Sequence, residues 1–235
     1  MGPAGVIPTG NEELDLKLAG GLPHPSLIII EGEHGTGKTA LAQQFLLGAL
    51  KSGLKVTVFT SETTSRDYVY KMRSSGFDAI DYYIMGKLKV YTISYPGRLT
   101  FEVGELITLR LAIYIRSRIN EYDLLVIDNL SYIASVVSKE SLQRLIVVIR
   151  KAVDSGKSFI ITVHPNALPP DISTKVKSIA DGYFRLLSAT VGGRRVKILN
   201  IVKLRGAPPG LDTSITFDVD PAFGIKLIPI VISKT

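Results

Sequence analysis

Residues 31–45 read EGEHGTGKTALAQQF, a glycine-rich segment that lies between an aliphatic run and a helical pattern. Within it, residues 32–39 match the pattern G-x-x-x-x-G-K-[ST] at every position. In such a loop the glycines let backbone N–H groups turn toward phosphate oxygens, and the start of the following helix adds its positive end. The segment therefore predicts a phosphate-binding loop between a buried strand and a helix.

The residue types of this loop predict a site for ATP and Mg²⁺. Gly35, Thr36 and Gly37 are expected to form the backbone cradle around the α and β phosphates. Lys38, placed in a solvent-facing loop, is expected to reach the β and γ phosphates. Thr39 carries the hydroxyl that ligates magnesium in loops of this pattern.

Three polar residues end predicted strands further along the chain. They are expected to gather beside the loop, because ligands of parallel α/β sheets bind at the carboxyl ends of the strands. Asp128 would hold the magnesium shell, and Glu62 would polarise the water that attacks the γ-phosphate; a solvated carboxylate is the alternative for Glu62. His164 would sense the γ-phosphate through an imidazole N–H, with a hydrogen-bonded structural histidine as the alternative. His34, inside the loop, is expected to point outward and is assigned no chemistry.

The pattern of apolar residues alternates between strands and helices up to Asp181. Strands are predicted at residues 26–31, 55–61, 89–94, 124–128 and 158–163, and helices at residues 38–51, 65–74, 101–119 and 138–155. Continuous aliphatic strands separated by helices indicate a parallel sheet that is covered on both faces.

The last part of the chain shows a different pattern, which predicts two antiparallel hairpins. The first spans residues 183–203 around a tight turn at Gly192 and Gly193, and the second spans residues 215–229. The chain of 235 residues is therefore expected to form one α/β domain, in which residues 181–235 are an antiparallel extension of the parallel core.

Composition narrows the class of protein. The hydrophobic content of 46% suits one domain with a sizeable core. The absence of cysteine excludes a disulfide scaffold and cysteine-ligated zinc, and fits a cytoplasmic protein. We find neither a secretory signal pattern nor an apolar stretch of the roughly 18 residues that span a bilayer. The net charge of +7 is compatible with nucleic acid, an anionic membrane surface or an acidic partner.

These motifs, in this order, resemble the RecA-like ATPases of the KaiC branch. Residues 9–32, TGNEELDLKLAGGLPHPSLIIIEG, are similar to the T-G-x-x-x-L-D-x-x-L-x-G-G-x-P head of that family, and residues 202–206, VKLRG, to its K-x-R-G segment. The resemblance implies a RecA-like P-loop core with a C-terminal antiparallel hairpin extension. It also implies that Lys203 and Arg205 reach the nucleotide of the next subunit in a ring, where they stabilise γ-phosphate charge like an arginine finger. Without the family context, two basic residues at a strand end would be ordinary surface charge.

Residues 31–45, 124–131 and 162–169 resemble most the members of this branch that bind nucleotide in the motor of the archaellum, the archaeal flagellum. That likeness implies a homo-oligomeric ring, a hexamer in the family. The ring would be cytoplasmic, held at the inner face of the cell membrane through its partners, the archaellum motor ATPase and the membrane platform protein. One departure concerns hydrolysis: the family's hydrolases usually carry two adjacent glutamates after the second strand, whereas residues 62–63 here are Glu-Thr. Hydrolysis is therefore expected to be weak, conditional or absent.

Two other functions fit parts of the sequence. A RecA-like DNA recombinase or helicase fits the fold and the net charge. However, the connections at residues 129–139 and 165–173 are short and poor in lysine and arginine, so neither is expected to track single-stranded DNA. A small-molecule P-loop kinase would need an arginine-rich lid, which the sequence lacks, and it would leave the last hairpins without a role. Nucleic acid is therefore not expected as a specific partner.

Overall fold

The computed structural model describes residues 5–94, 97–191, 193–207 and 213–229. The strands in these ranges are β1 (Gly5–Ile7), β2 (Leu22–His24), β3 (Leu27–Gly32), β4 (Val56–Thr60), β5 (Leu88–Thr92), β6 (Leu124–Asp128), β7 (Ser158–Val163), β8 (Gly182–Val191), β9 (Arg194–Leu204), β10 (Ser214–Asp220) and β11 (Gly224–Leu227). The helices are α1 (Glu12–Lys17), α2 (Lys38–Lys51), α3 (Ser65–Ser74), α4 (Ile80–Ile84), α5 (Phe101–Ser117), α6 (Ser131–Ala134), α7 (Lys139–Asp154) and α8 (Pro170–Ile179).

Nine of these strands form one mixed sheet in the order β11-β10-β9-β8-β3-β7-β6-β4-β5. All pairs from β8 through β3, β7, β6 and β4 to β5 are parallel, whereas β8 with β9, β9 with β10 and β10 with β11 are antiparallel. Strands β1 and β2 form a separate two-stranded antiparallel sheet. The predicted parallel core with an antiparallel C-terminal extension is therefore confirmed.

Both faces of the large sheet are covered, as the continuous aliphatic strands predict. Alternate side chains of β3 enter different cores: Ile28 and Ile30 pack with α2 and α3, whereas Ile29 packs with α5 and α7. All six residues of β3 are buried, which explains why its sequence is a run of aliphatic residues rather than an alternating pattern. No helix within the described ranges is both long and apolar enough to cross a membrane.

Several boundaries agree with the sequence, and several short elements were not predicted. Helices α2 and α3 have the predicted bounds, whereas α5 ends at Ser117 instead of residue 119. The structure adds β1, β2, α4, α6 and α8, each too short or too irregular to give a clear periodic pattern. Helix α8 begins at Pro170, a position where proline's missing N–H is tolerated, although the Pro-Pro pair reads as a break in the sequence. The predicted turn residue Gly192 lies outside the described residues, while Gly193 has a φ of +78°.

Candidate nucleotide-binding site

The glycine-rich loop connects β3 to α2 and depends on glycine for its backbone shape. Gly35 and Gly37 have φ angles of +74° and +94°, in the left-handed region that side chains other than glycine rarely adopt. Gly37 also precedes the first residue of α2 directly, and a Cβ atom there would lie 2.9 Å from Cδ of Lys197 on β9. The side chain of Lys197 on the hairpin extension therefore lies against the loop, and the positive φ of Gly37 is what favours glycine at this position.

Lys38 is buried, contrary to the expectation of a solvent-facing side chain. Its Nζ donates hydrogen bonds to the backbone oxygens of Gly32 at 2.8 Å and Glu33 at 2.9 Å, and only 7% of the residue is exposed. Burial lowers the pKa of Lys38, and the carboxylates of Asp128 and Glu62 act in the opposite direction. The ammonium group is thus folded back over its own loop, where phosphate oxygens would compete with two backbone carbonyls.

A cleft of about 470 Å³ opens beside this loop, within the volume range of small-molecule sites. Seven of the predicted residues line it: Gly35, Gly37, Lys38, Thr39, Glu62, Asp128 and His164. The buried side chain of Thr36 does not line the cleft and instead stabilises the loop, because its Oγ1 donates to the Glu33 oxygen at 2.8 Å. The structure therefore brings together residues that are up to 129 positions apart in the predicted set, all at the carboxyl edge of the parallel strands.

Asp128 lies at the floor of the cleft and is 1% exposed. Its Oδ1 accepts a hydrogen bond of 2.6 Å from Oγ1 of Thr162 on β7. The pKa of Asp128 is raised, mainly because the carboxyl group is buried, and the nearby Glu62 carboxylate also raises it. Hydrogen bonds from Thr162 and Thr39 act in the opposite direction. The hydroxyl and the carboxylate expected to hold magnesium are therefore neighbours.

Glu62 lies at the exposed end of β4, above Asp128. Its Oε1 accepts a hydrogen bond from Nδ2 of Asn129 at 3.1 Å, and its backbone N–H donates to Oγ1 of Thr60 at 3.3 Å. Asn129, which directly follows the neighbouring strand β6, thus fixes the carboxylate, but Glu62 remains exposed to water. This placement is compatible with both interpretations of Glu62: a carboxylate that orients a water molecule at the cleft, and a carboxylate that is only solvated.

The rings of His164 and His34 lie against each other at the cleft, with centroids 3.9 Å apart and a tilt of 34° between their planes. The prediction that His34 points away from the site is wrong, because His34 lines the cleft together with His164. Nδ1 of His164 lies 3.3 Å from Nζ of Lys38, and its backbone N–H donates to Oγ of Ser131 at 2.8 Å. Burial, Lys38 and then His34 lower the pKa of His164, so this imidazole is neutral near pH 7 and has one N–H to donate.

The donors in the cleft fit a hydrated magnesium ion. Thr39 offers a hydroxyl and Asp128 a carboxylate, while the described part of the chain holds no group of three or more His, Cys, Asp or Glu residues able to bind a metal by themselves. Mg²⁺ keeps several water ligands and is commonly held by one or two protein oxygens plus phosphates of the substrate. Tyr68, whose buried hydroxyl has no hydrogen-bond partner, also lines this cleft.

Sequence reasoning missed several polar residues of the cleft, among them Gln43, Tyr68, Lys71 and Lys197. Lys197 comes from the hairpin extension, and its Nζ donates to Oδ1 of Asp218 at 2.6 Å. Its place above the loop depends on the register of β9 against β8, which no local pattern reports. The only available signal was the basic cluster at residues 194–197.

Lys203 and Arg205 do not approach the cleft of their own chain. Both lie at the end of β9, beside the start of β3, whereas the loop follows the end of β3. The length of β3 separates the two regions by roughly 17 Å at about 3.3 Å per residue. Nζ of Lys203 donates to the Ser178 oxygen at 2.7 Å, and Nη1 of Arg205 lies 2.6 Å from Oδ1 of the buried Asp181.

Comparison with known proteins identifies the family. Residues 7–231 match the family model "ATPase: KaiC". The chain is 43% identical over 230 residues to the archaeal flagellar ATP-binding protein FlaH of Sulfolobus acidocaldarius, covering 97% of this chain and 99% of that protein. It is 29% identical to FlaH of Methanocaldococcus jannaschii, covering 94% of each. The crystal structure of the flagellar accessory protein FlaH from M. jannaschii matches with a TM-score of 0.81 at 27% identity, covering 97% of this chain and 100% of that one. The chain therefore belongs to the KaiC family of ATPases and, within it, to the archaeal flagellar FlaH proteins.

Proposed function

We propose that this protein binds ATP with Mg²⁺ and acts as a nucleotide-dependent ring component of the archaellum motor, with weak or conditional hydrolysis. One observation carries the proposal: Lys38, Thr39, Asp128 and His164 line one cleft around the glycine-rich loop. The name of the FlaH relatives, archaeal flagellar ATP-binding proteins, agrees with it.

Each residue of the cleft has a role that its position supports. Lys38 would exchange the two loop carbonyls for β- and γ-phosphate oxygens, and backbone N–H groups from Gly35 to Thr39 would bind the remaining oxygens. Thr39 and Asp128 would hold Mg²⁺, which would supply positive charge to the phosphates of the nucleotide. His164 would donate its imidazole N–H to the γ-phosphate, which ADP lacks.

The position of Lys203 and Arg205 supports their action on another copy of the chain. Because both lie at the edge of the sheet opposite the loop, they do not reach the nucleotide site of their own chain, and a role at the γ-phosphate would require a nucleotide held by a neighbouring subunit. A contact made to ATP and not to ADP would stabilise the closed ring, since a ligand shifts an equilibrium only by its differential affinity for the two states. A hexamer is the ring expected from the family.

The partners would be the archaellum motor ATPase and the membrane platform protein. Through them the ring would lie at the cytoplasmic face of the cell membrane without entering it. Nucleotide state would change the affinity for the motor ATPase, because ring closure presents a continuous face to it. Pull-down of the purified motor ATPase with ATP and with ADP tests this link; equal recovery in both states would contradict it.

The proposal as a whole is tested by measuring the mass of the protein in solution, with and without ATP and Mg²⁺. We expect a small species without nucleotide and a ring with Mg²⁺ and ATP. A monomer under both conditions would refute the assembly role, while calorimetric titration with ATP tests the binding site independently.

Glu62→Gln is expected to leave the Kd for ATP within about threefold of the wild type and to lower hydrolysis about 100-fold or more. The amide keeps the oxygen that accepts from Asn129 but cannot act as a base. Phosphate release and an ATP titration measure the two effects. Glu33→Gln, an exposed carboxylate in the loop, is the matched control. Equal turnover in Glu62→Gln and wild type would assign the base to another residue, and a wild type without turnover would make the protein a switch that only binds ATP.

A DNA-dependent ATPase is the second candidate, because of the net charge of +7. The structure gives it little support: the connection at residues 129–139 contains α6, and residues 165–169 lead directly into α8. We expect single-stranded DNA to bind with a Kd weaker than about 10 µM at physiological salt, and with a steep salt dependence typical of non-specific phosphate contacts. Fluorescence anisotropy across a salt series measures it. Sub-micromolar binding that ATP strengthens would restore the recombinase interpretation.

A further inference from the structure

Tyr68 on α3 has a hydroxyl group with no hydrogen-bond partner, although the residue is only 2% exposed. Buried polar groups are nearly always paired, so an unpaired one calls for a specific explanation. Tyr122, another fully buried tyrosine, follows the rule, since its hydroxyl donates to the Ile115 oxygen at 2.8 Å. The unpaired group of Tyr68 therefore does not reflect a general tolerance of this fold for buried phenols.

Tyr68 lies at the nucleotide cleft, and its phenol is close enough to Asp128 and Glu62 for both carboxylates to affect it. Tyr68 lines that cleft together with Thr39, Glu62 and Asp128. The pKa of Tyr68 is raised well above its usual value, mainly by burial and then by the charges of Asp128 and Glu62. The nearby Gln43 amide lowers this pKa, although its distance and angle do not make it a hydrogen-bond partner. The phenol is therefore protonated at every working pH and has a proton to donate.

The carboxylates near this phenol do not accept its proton directly, so an intervening oxygen is needed. A water molecule between polar groups that are too far apart for direct contact is nearly as favourable as a direct hydrogen bond. Magnesium held by Thr39 and Asp128 would bring water ligands to this part of the cleft, because the ion dehydrates reluctantly. No other described side chain in the cleft is both buried and without a partner.

We infer that Tyr68 is a positioning residue for magnesium, donating its hydroxyl proton to a water ligand of the ion that accompanies ATP. This inference rests on the proposed ATP site and adds a residue to it. It implies that the unpaired hydroxyl lowers the stability of the nucleotide-free protein and raises the affinity for magnesium and ATP together. If Tyr68 had only a structural role, removing its hydroxyl would not raise the stability of the nucleotide-free protein and at the same time weaken magnesium-dependent ATP binding.

The test compares Tyr68→Phe with Tyr122→Phe, which removes the same atom from an equally buried but paired tyrosine. Thermal unfolding without nucleotide, in EDTA, should show a Tm higher by about 2–4 °C for Tyr68→Phe and lower by a similar amount for Tyr122→Phe. Calorimetric ATP titrations in Mg²⁺ and in EDTA should show that Tyr68→Phe reduces the magnesium-dependent gain in affinity by about three- to tenfold. Affinity in EDTA should be unchanged, as should the magnesium-dependent gain of Tyr122→Phe.

Three results would overturn the inference. A lower Tm for Tyr68→Phe would show that the hydroxyl has a structural partner. An unchanged magnesium-dependent gain would show that it does not serve the ion, and an equal loss with and without magnesium would assign it to the nucleotide itself. If the wild type binds no ATP, the proposed function fails and this inference with it; if the wild type binds and only the magnesium effect is missing, the inference alone fails.

Discussion

Lys38→Ala is expected to raise the Kd for ATP by about 100-fold or more. The wild-type ammonium group would bind both the β and γ phosphates, and a hydrogen bond to a charged group contributes about 1.5–3 kcal/mol. Loss of roughly 3 kcal/mol corresponds to about two orders of magnitude in Kd. Nζ of Lys38 is bonded to the backbone oxygens of Gly32 and Glu33 within the loop itself, a position that the other lysines of the cleft, Lys71 and Lys197, do not occupy. Isothermal titration with ATP in Mg²⁺ measures the effect.

The stability of the Lys38→Ala protein should change little, although the side chain is buried. Two hydrogen bonds to backbone carbonyls are lost, which destabilises the loop. At the same time a charged group whose pKa is lowered by burial is removed, which relieves a desolvation cost. We expect a change in Tm within about 4 °C. Lys51→Ala, an exposed lysine at the other end of α2, is the matched control. Near-wild-type affinity in Lys38→Ala would refute the phosphate-loop assignment.

The double substitution Lys203→Ala and Arg205→Ala is expected to abolish ATP-dependent ring assembly while leaving ATP binding to the single subunit within about threefold of the wild type. The two side chains lie at the opposite edge of the sheet from the loop, so they contribute nothing to the cleft of their own chain. Their contact with the γ-phosphate in a neighbouring subunit would be the interaction through which ATP stabilises the ring. Light scattering coupled to size-exclusion chromatography, with and without ATP, measures the mass.

A control is needed because Arg205 also pairs with Asp181 inside its own chain. Arg150→Ala removes the other arginine near the same carboxylate, at 3.4 Å, without touching the K-x-R-G segment. Asp181 would keep the Leu27 N–H as a donor in both proteins. Each change should lower the Tm by a similar few degrees, but only the double substitution should prevent assembly. If the double variant forms a normal ATP-dependent ring, Lys203 and Arg205 have no role in assembly and are ordinary surface charges.

The parts of the site that follow from the sequence are those fixed by local chain geometry. A strand, a G-x-x-x-x-G-K-[ST] loop and a helix lie within residues 27–51, so the loop could be located from one segment. Asp128, Glu62 and His164 could be added because each ends or directly follows a parallel strand, and such strands share an edge. None of these steps requires knowledge of how distant elements pack.

The parts that sequence reasoning missed depend on packing between distant elements. The sequence places Tyr68 on the apolar face of α3, and only the rotation of that helix against the sheet shows that the residue lines the cleft. The ring contact between His34 and His164 joins a loop after β3 to one after β7. The burial of Lys38 could not be foreseen because the acceptors for its Nζ are backbone oxygens, which are common to all sequences.

The central position of β3 has a consequence for synthesis on the ribosome. The strand that precedes the loop is bonded on both sides to segments made much later: Ser26 contacts Ser158, 132 positions away, and Leu27 contacts Asp181, 154 positions away. Closing such long segments makes folding slow, and domains of this kind fold as units once the necessary chain has emerged. A nascent chain that ends before β7 and β8 therefore contains every residue of the glycine-rich motif but lacks the two strands that hold β3, and with it the loop, in place. Termination of the chain before β8 should thus eliminate nucleotide affinity as completely as damage to the motif itself.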